Sequence, residues 1–119
     1  MKFLELVEEF KKKIEEVENL GKRIGKILCD ALRPIIPDIT YSLGWYEAGI
    51  DTICLWSDSR SISAKRAMED IPLHSIIRET LPELHYYLDM PYGIYLSKDE
   101  AEEVRRILSN LKNLEVSGE

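Results

Sequence analysis

The sequence predicts an α+β fold in which a small, mainly antiparallel sheet of three or four strands packs against a long N-terminal helix, middle helices and a C-terminal helix. Apolar residues recur with helical spacing over residues 2–32, alternate with a period of two over 39–56, and return to helical spacing over 98–112. Between these segments we expect a helical region over 63–88 and a strand over 92–96. The predicted order is α-β-β-α-β-α.

The composition indicates one soluble domain over residues 1–119, with 45% apolar residues, 32% charged residues and a net charge of −6. Uncharged runs such as residues 39–46 fall far short of the ~20 residues that cross a bilayer. Glu5 stands where a signal peptide would be apolar, so we expect a cytoplasmic protein with no membrane partner. The absence of Gln and the presence of only three Asn residues are typical of a thermophile.

The N-terminal helix, predicted over residues 2–32, is too long for the domain. At 1.5 Å per residue it would span about 45 Å, whereas a compact chain of this size is roughly 35 Å across. Either the helix bends at Gly21 and Gly25, or one end projects and buries its apolar stripe against a second subunit. We expect a homodimer that self-associates through this stripe. The residues predicted to mediate self-association are Phe3, Phe10, Ile14, Val17 and Ile24.

Residues 39–56 read as a β-hairpin. The alternation predicts a register in which Leu43 faces Ile53, Tyr41 faces Leu55, and Tyr46 pairs with Ile50. A three-residue turn would end at Gly49 in the left-handed conformation. One face of the hairpin should pack on the helices, which leaves the other face for solvent or a partner.

The second half of the chain is punctuated by prolines. Pro72 suits the first turn of a helix, and Pro82 interrupts that helix, after which residues 83–88 are compatible with either a helical turn or an edge strand. Ser97 and Glu100 have the spacing of a capping box that opens the last helix. The tail over 113–119 is expected to fray.

The residues that usually carry chemistry form no recognisable motif, so we expect no enzyme, no cofactor and no metal site. His74 and His85 are eleven residues apart, which fits no compact zinc motif. The sequence lacks a nucleophile motif and a glycine-rich phosphate loop. Cys29 and Cys54 are expected to be free thiols in the interior, and a disulfide between the helix and the strand is the alternative.

A metal-dependent nuclease is a third functional hypothesis. Asp38 precedes the first strand and Asp51 begins the second, so the two carboxylates could share a cation. Such a site also needs an acid-x-Lys triplet on the adjacent strand, but no lysine follows Asp51 until Lys65. The simpler interpretation is that both aspartates mark strand ends.

Nucleic-acid binding is the main alternative function. Two basic clusters, one on the first helix and one after the second strand, could contact phosphates together. The net charge of −6 and the pI of about 5.0 argue against this interpretation. The residues of the two clusters are Lys22, Arg23, Lys26, Arg33, Arg60, Lys65 and Arg66.

The aromatic residues favour a docking surface. Six tyrosines and two tryptophans against two phenylalanines give most rings a polar tip, as protein interfaces prefer. The sequence therefore favours a non-catalytic protein–protein interaction module, such as an adaptor, an inhibitor or a regulator, that binds itself and an unidentified protein. The residues predicted to bind that partner are Trp56, Tyr86, Tyr87, Met90 and Tyr92.

Overall fold

The computed structural model describes residues 2–45, 48–64 and 70–116 and shows the predicted mixture of helices and a small sheet. The helices and strands follow the predicted α-β-β-α-β-α order, with additional short strands. The elements are α1 (Phe3–Leu32), β1 (Thr40–Trp45), β2 (Ala48–Trp56), two 3₁₀ turns (Asp58–Arg60 and Ile62–Ala64), β3 (Ile71–Pro72), α2 (Leu73–Thr80), α3 (Pro82–His85), β4 (Leu88–Asp89), β5 (Tyr95–Leu96) and α4 (Lys98–Leu111).

Helix α1 is one continuous element that projects from the rest of the protein. The Glu5 carboxylate accepts a hydrogen bond from the Lys2 backbone N–H at 3.2 Å, and the helix ends two residues before Pro34. Its fully buried residues begin only at Gly25. The molecule measures 59 × 32 × 22 Å with a radius of gyration of 16.4 Å, against about 13.5 Å for a compact chain of this length. Of the two predicted alternatives, a bent helix or a helix with one projecting end, the structure shows the projecting end.

Strands β1 and β2 form the predicted antiparallel hairpin. Tyr41 pairs with Leu55 and Leu43 pairs with Ile53, as expected. The register then shifts between Leu43 and Trp45, where Gly44 takes a φ of 71°. The left-handed glycine is therefore Gly44, and the prediction for Gly49 is wrong because that residue lies within β2. The expected pairing of Tyr46 involves a residue outside those described.

The third strand of the sheet is β4 rather than residues 92–96. β4 runs parallel to β2, with Ile53 opposite Leu88, and the Ile53 N–H donates to the Tyr87 carbonyl at 2.7 Å. The expected strand over 92–96 shortens to β5, which pairs with β3 in a separate two-stranded sheet. Gly93 explains the shortening, since its φ of 71° and its N–H bond to the Met90 carbonyl close a turn immediately before β5.

The predicted helical region over 63–88 is interrupted by a strand and ends before residue 88. Ile71–Pro72 and Leu88–Asp89 are strands, so only α2 and α3 are helical between them. Pro72 precedes α2 instead of opening its first turn, and Pro82 is the first residue of α3. Residues 83–88 contain both of the alternatives, a helical turn followed by a strand. A helix predicted to start near Ser63 falls mainly on residues 65–69, which lie outside the described parts.

The core lies between the sheet, the C-terminal part of α1, and the pair α2 and α4. Helix α1 packs on β1 and β2, while α2 packs on α4. The predicted capping box of α4 is present, with the Glu100 N–H donating to Ser97 Oγ at 3.3 Å and the Ser97 N–H donating to the Glu100 carboxylate at 3.0 Å. The largest fully buried side chains include Leu32, Ile36, Leu55, Leu73, Ile76, Ile77, Ile94, Leu96 and Leu108.

Candidate functional site

The first half of α1 carries an apolar surface that the described fold does not cover. Phe3 is 76% exposed and Phe10 is 66% exposed, values far above those of core residues. Ile14 is half-buried, and Val17 and Ile24 are exposed to a smaller degree, so all five residues predicted for self-association remain accessible. We call the following set the projecting stripe: Phe3, Leu6, Val7, Phe10, Ile14, Val17, Leu20 and Ile24.

The stripe runs into a groove where α1 meets the body of the protein. This groove, the α1 groove, has a volume of about 300 Å³. The structure thereby brings the predicted self-association residues Val17 and Ile24 next to Tyr87, which we predicted for a different partner. The apolar side chains that line it are Val17, Leu20, Ile24, Ile53, Leu84 and Tyr87.

Two glycines determine how α1 sits beside the groove. A Cβ atom at Gly25 would lie 2.5 Å from the Tyr41 ring, and one at Gly21 would lie 2.9 Å from the end of Leu43. These contacts show that β1 approaches α1 on the side of the helix that carries the glycines. The neighbouring side of α1, with Leu20 and Ile24, is therefore left open toward Ile53 and Tyr87.

Charged residues flank the stripe. Within α1, Lys13 pairs with Glu9 at 3.8 Å and with Glu16 at 3.5 Å, and Lys11 pairs with Glu8 at 3.4 Å. All five side chains are more than half exposed. Ion pairs of this kind each contribute only a few tenths of a kcal/mol, so they leave these charges available to a partner at little cost.

The five residues predicted to bind a partner do not form one surface. Tyr87 lines the α1 groove beside Ile53, whereas Trp56 lies on the opposite face of β2, because side chains alternate along a strand. Trp56 contacts Tyr92 with ring centroids 5.3 Å apart. Tyr86 is 87% exposed. The hypothesis of a single aromatic docking patch is therefore corrected to two separate areas.

The area around Trp56 and Tyr92 continues into a second, more polar cavity. Met90 and Tyr92 line this cavity of about 440 Å³ together with His74 and Asp89. The Trp56 indole N–H donates to Ser42 Oγ at 3.2 Å, which fixes the ring on the outer face of the hairpin. Cys54, on the same face of β2, is fully buried, so this face is less open than expected.

His74 and His85 come together although they are eleven residues apart. The turn between α2 and α3 places their ring centroids 4.3 Å apart. Burial lowers the pKa of His74, and the neighbouring His85 and Arg78 lower it further, while Asp89 acts in the opposite direction. Across residues 2–45, 48–64 and 70–116, no three His, Cys, Asp or Glu side chains lie close enough to hold a metal ion.

Among the basic residues of the nucleic-acid hypothesis, Arg60 is engaged in the interior, whereas Lys26 and Arg33 form exposed ion pairs with Asp30 that leave their charges accessible. Arg60 is mostly buried, pairs with Glu100 and donates to the Ile35 carbonyl at 2.9 Å. Asp30 accepts from Lys26 at 2.9 Å and from Arg33 at 2.6 Å.

Two of the seven predicted cations, Lys65 and Arg66, lie outside the described residues. Lys22 is exposed, and Arg23 is half-buried on the same helix. The expected combined phosphate-binding surface therefore has little support among the residues that are described.

The two aspartates of the nuclease hypothesis lie far apart. Asp38 lies beside Ser57, just after β2, whereas Asp51 is the fourth residue of β2 and does not begin the strand as expected. Asp38 accepts hydrogen bonds from Ser57 Oγ at 2.7 Å, Ser59 Oγ at 2.9 Å and the Ser59 N–H at 2.9 Å. Burial acts to raise the pKa of Asp38, but these bonds outweigh it and the pKa lies below its ordinary value. Asp51 borders the α1 groove. Six residues of strand separate Asp51 from Ser57, or about 20 Å, so one cation cannot bind both carboxylates.

Both cysteines are free and buried, as the favoured interpretation predicted. Burial raises the pKa of the Cys29 thiol to about 11, and burial also raises the pKa of Cys54. Cys54 Sγ lies 3.6 Å from the Gly44 carbonyl oxygen, which accepts its weak hydrogen bond. Neither thiol has the properties of a reactive cysteine.

Comparison with known proteins identifies no relative from which a function could be transferred. No protein-family model matches the sequence, and neither the curated proteins nor the solved structures that were searched contain a match. In the part of the chain that the structure describes, no helix is both long enough and apolar enough to cross a membrane. The surface of the molecule itself must therefore carry the functional argument.

Proposed function

We propose that this protein is a non-catalytic, cytoplasmic protein–protein interaction module that self-associates as a homodimer through the projecting stripe. One observation carries the proposal: the same apolar helix face that packs into the core near Leu28 and Leu32 continues, uncovered, as far as Phe3. A contiguous exposed apolar face of this kind is typical of an interaction surface. Scattered exposed apolar residues would need no such explanation.

The energetics support a partner for this half of α1. Isolated helices of about 12–15 residues are marginal in water, and tertiary packing supplies most helical stability in proteins. Burial of one Phe or Leu side chain contributes roughly 1.5–3 kcal/mol. Several such side chains from each subunit can offset the cost of association, about 4–15 kcal/mol. The proposed dimer thus explains how the projecting half of α1 stays helical.

The area around Trp56, Tyr92 and Met90 is the proposed site for a second, different protein. It lies on the face of β2 opposite the α1 groove, so a dimer formed through α1 leaves it accessible. Aromatic side chains and methionine are enriched at protein interfaces. A module with one surface for itself and another for a partner suits an adaptor, an inhibitor or a regulator.

The proposal excludes catalysis and nucleic-acid binding, and each exclusion has a direct test. Metal-dependent cleavage of DNA or RNA that is abolished by Asp51→Asn would overturn the non-enzymatic assignment. Retardation of nucleic acid at low salt, lost when Lys22 and Lys26 are changed to Glu, would support the phosphate-binding alternative instead. We expect neither cleavage nor retardation.

Sedimentation equilibrium of the full chain tests self-association. The wild-type protein should sediment as a dimer at high micromolar concentration. Phe10→Glu places a charge in the stripe, and we expect it to weaken the dimer at least about 100-fold, because each dimer loses two buried rings.

Asn19→Glu is the matched control, since it adds the same charge at an exposed position on the other side of α1. It should leave the dimer intact. A wild-type protein that remains strictly monomeric at high micromolar concentration would overturn the proposal.

A further inference from the structure

The α1 groove is a mainly apolar space of about 300 Å³, which can accept a few apolar side chains of another helix. One wall is α1 itself, through Val17, Leu20 and Ile24, and the opposite wall is formed by Leu84 and Tyr87. Ile53 lies at its floor, and the wall on α1 is the direct continuation of the projecting stripe. An occupant that contacts this wall would therefore also lie along the stripe. The groove and the stripe are one surface about 30 Å long along the helix.

The spacing of apolar residues identifies a second copy of α1, in the opposite direction, as a fitting occupant. Two rows with seven-residue spacing run along the stripe. The first row is Phe3, Phe10, Val17 and Ile24, and the second is Leu6, Leu20 and, beyond the stripe, Ile27, with Lys13 interrupting it between Leu6 and Leu20. When two copies run antiparallel, each row meets the other row of the second copy. Phe3 then lies opposite Ile27, Leu6 opposite Ile24, and Phe10 opposite Leu20.

Lys13 distinguishes the two possible directions. In an antiparallel pair it lies opposite Val17, so that its aliphatic stem packs while its ammonium group reaches the Glu9 and Glu16 carboxylates that it already contacts. In a parallel pair in the same register, Lys13 would lie opposite Lys13 of the second copy. Two like charges would then meet within the apolar seam, which is strongly unfavourable.

The charges beside the stripe favour the same direction. Lys11 and Glu18 lie on one flank, and an antiparallel pair brings Lys11 of each copy near Glu18 of the other. On the second flank, Glu9 comes near Arg23, while Glu16 faces its own counterpart. A parallel pair would instead place Glu16 beside Glu18 twice and Glu9 beside Lys11 twice, so its repulsive and attractive pairs would be equal in number. Complementary charges of this kind set orientation more than affinity.

We infer that the α1 groove binds the N-terminal part of α1 from a second copy of the chain, in antiparallel orientation, so that Leu6 and Phe10 of each subunit enter the groove of the other. Phe3 then lies just beyond the groove, against Ile27. This inference rests on the proposed self-association and specifies its geometry. Two equivalent grooves are filled in one symmetric dimer, which closes the assembly at two subunits. Leu84 and Tyr87, which lie outside α1, become part of the interface.

Tyr87 provides the decisive variant because only an occupied groove involves it. Tyr87→Glu should weaken the dimer at least about tenfold, since the charge would be desolvated against the incoming helix. Tyr86→Glu is the matched control, because Tyr86 is the adjacent residue and its side chain does not line the groove. It should change the dissociation constant less than about twofold. Both constants are measured by sedimentation equilibrium, with urea unfolding to confirm that each variant folds.

Crosslinking determines, independently of Tyr87, whether the two copies of α1 pair parallel or antiparallel. The exposed thiols react with a short bifunctional maleimide, while the buried Cys29 and Cys54 do not. A mixture of Lys11→Cys and Glu18→Cys chains should give mainly the mixed crosslinked dimer if α1 pairs antiparallel. A mixture of Glu16→Cys and Glu18→Cys chains should give it only if α1 pairs parallel.

A dimer that crosslinks in the second mixture, or that is insensitive to Tyr87→Glu, overturns the antiparallel inference and leaves self-association standing. A monomer overturns both.

Discussion

The two halves of α1 have the same seven-residue repeat but opposite surroundings. In the C-terminal half, Leu28 and Leu32 are at most 2% exposed, whereas in the N-terminal half Leu6 is 55% exposed and Phe10 is 66% exposed. The pattern of apolar residues thus specifies which face of a helix avoids water, but it does not specify what covers that face. The uncovered half is the surface that the proposed self-association uses.

The size of the sheet accounts for the difference. β1 has six residues and β2 has nine, and both pack on the C-terminal half of α1, where Gly21 lies against Leu43 and Gly25 against Tyr41. A sheet of that length covers roughly 20–30 Å of helix at about 3.3 Å per residue, against the ~45 Å of α1. Among the described residues, Phe3, Leu6 and Phe10 in the N-terminal half stay exposed, and the proposed second copy is the molecule that would cover them.

The two halves of α1 should differ most in how much their leucine side chains contribute to the free energy of unfolding. Leu32→Ala should lower the free energy of unfolding by about 2–5 kcal/mol, because it leaves a cavity in the core. Leu6→Ala removes the same atoms from the projecting half and should change this free energy by less than about 0.5 kcal/mol. Urea unfolding of protein dilute enough to be monomeric measures both. Equal losses would show that the N-terminal half is packed within the subunit.

An intermediate effect on stability is expected at Gly25, the first buried residue of α1. Gly25→Ala should destabilise the fold by about 1–2 kcal/mol, since the clash with the Tyr41 ring exceeds the gain in helix propensity. Gly21→Ala is the control toward the projecting side. Its added methyl group meets only the flexible end of Leu43, so the change should be neutral or stabilising by up to ~1 kcal/mol. If both variants were stabilised alike, α1 would not be held tightly against β1.

The smallest expected effect is a change of stability with pH that comes from His74, which lies outside α1 and contacts His85. The pKa of His74 is lower in the folded protein than the ordinary 6.5, so the unfolded chain binds the proton more readily. This contribution to stability is complete above pH 6.5 and is lost as the pH falls below that value. Urea unfolding at pH 7.5 and pH 5.5 should therefore show a decrease that His74→Gln reduces. An identical decrease in the variant would assign the pH dependence to other groups.

Local patterns predicted much of the fold. The 3.6 and 2.0 periods identified α1 and the hairpin, the cross-strand register placed Leu43 opposite Ile53, and the Ser97 spacing located the start of α4. These features depend on residues close together in sequence. β3 and β4 have two residues each and exist because distant segments pair with them, so no periodicity could define them. β5 was expected, but only as part of a longer strand. The left-handed glycine was misplaced because a bulge, not the turn, requires it.

Part of the candidate site could likewise be predicted from the sequence, and part could not. The projecting stripe could be read from α1 alone, including Phe3 and Phe10. The groove could not, because Leu84 and Tyr87 reach α1 only through the pairing of β4 with β2. The contact of His74 with His85 likewise depends on the turn at Pro82. That contact could have been predicted if the helices on either side of Pro82 had been expected to fold back on each other.

Hydrogen exchange of α1 as a function of protein concentration tests whether a second copy of the chain covers the projecting stripe. From submicromolar to high micromolar protein, the amides of residues 6–17 should become progressively protected as the stripe is covered, while those of residues 28–32 stay equally protected throughout. If the amides of residues 6–17 exchange at the same rate over the whole range, the second copy does not cover the stripe, and the account of α1 as a dimer interface is contradicted.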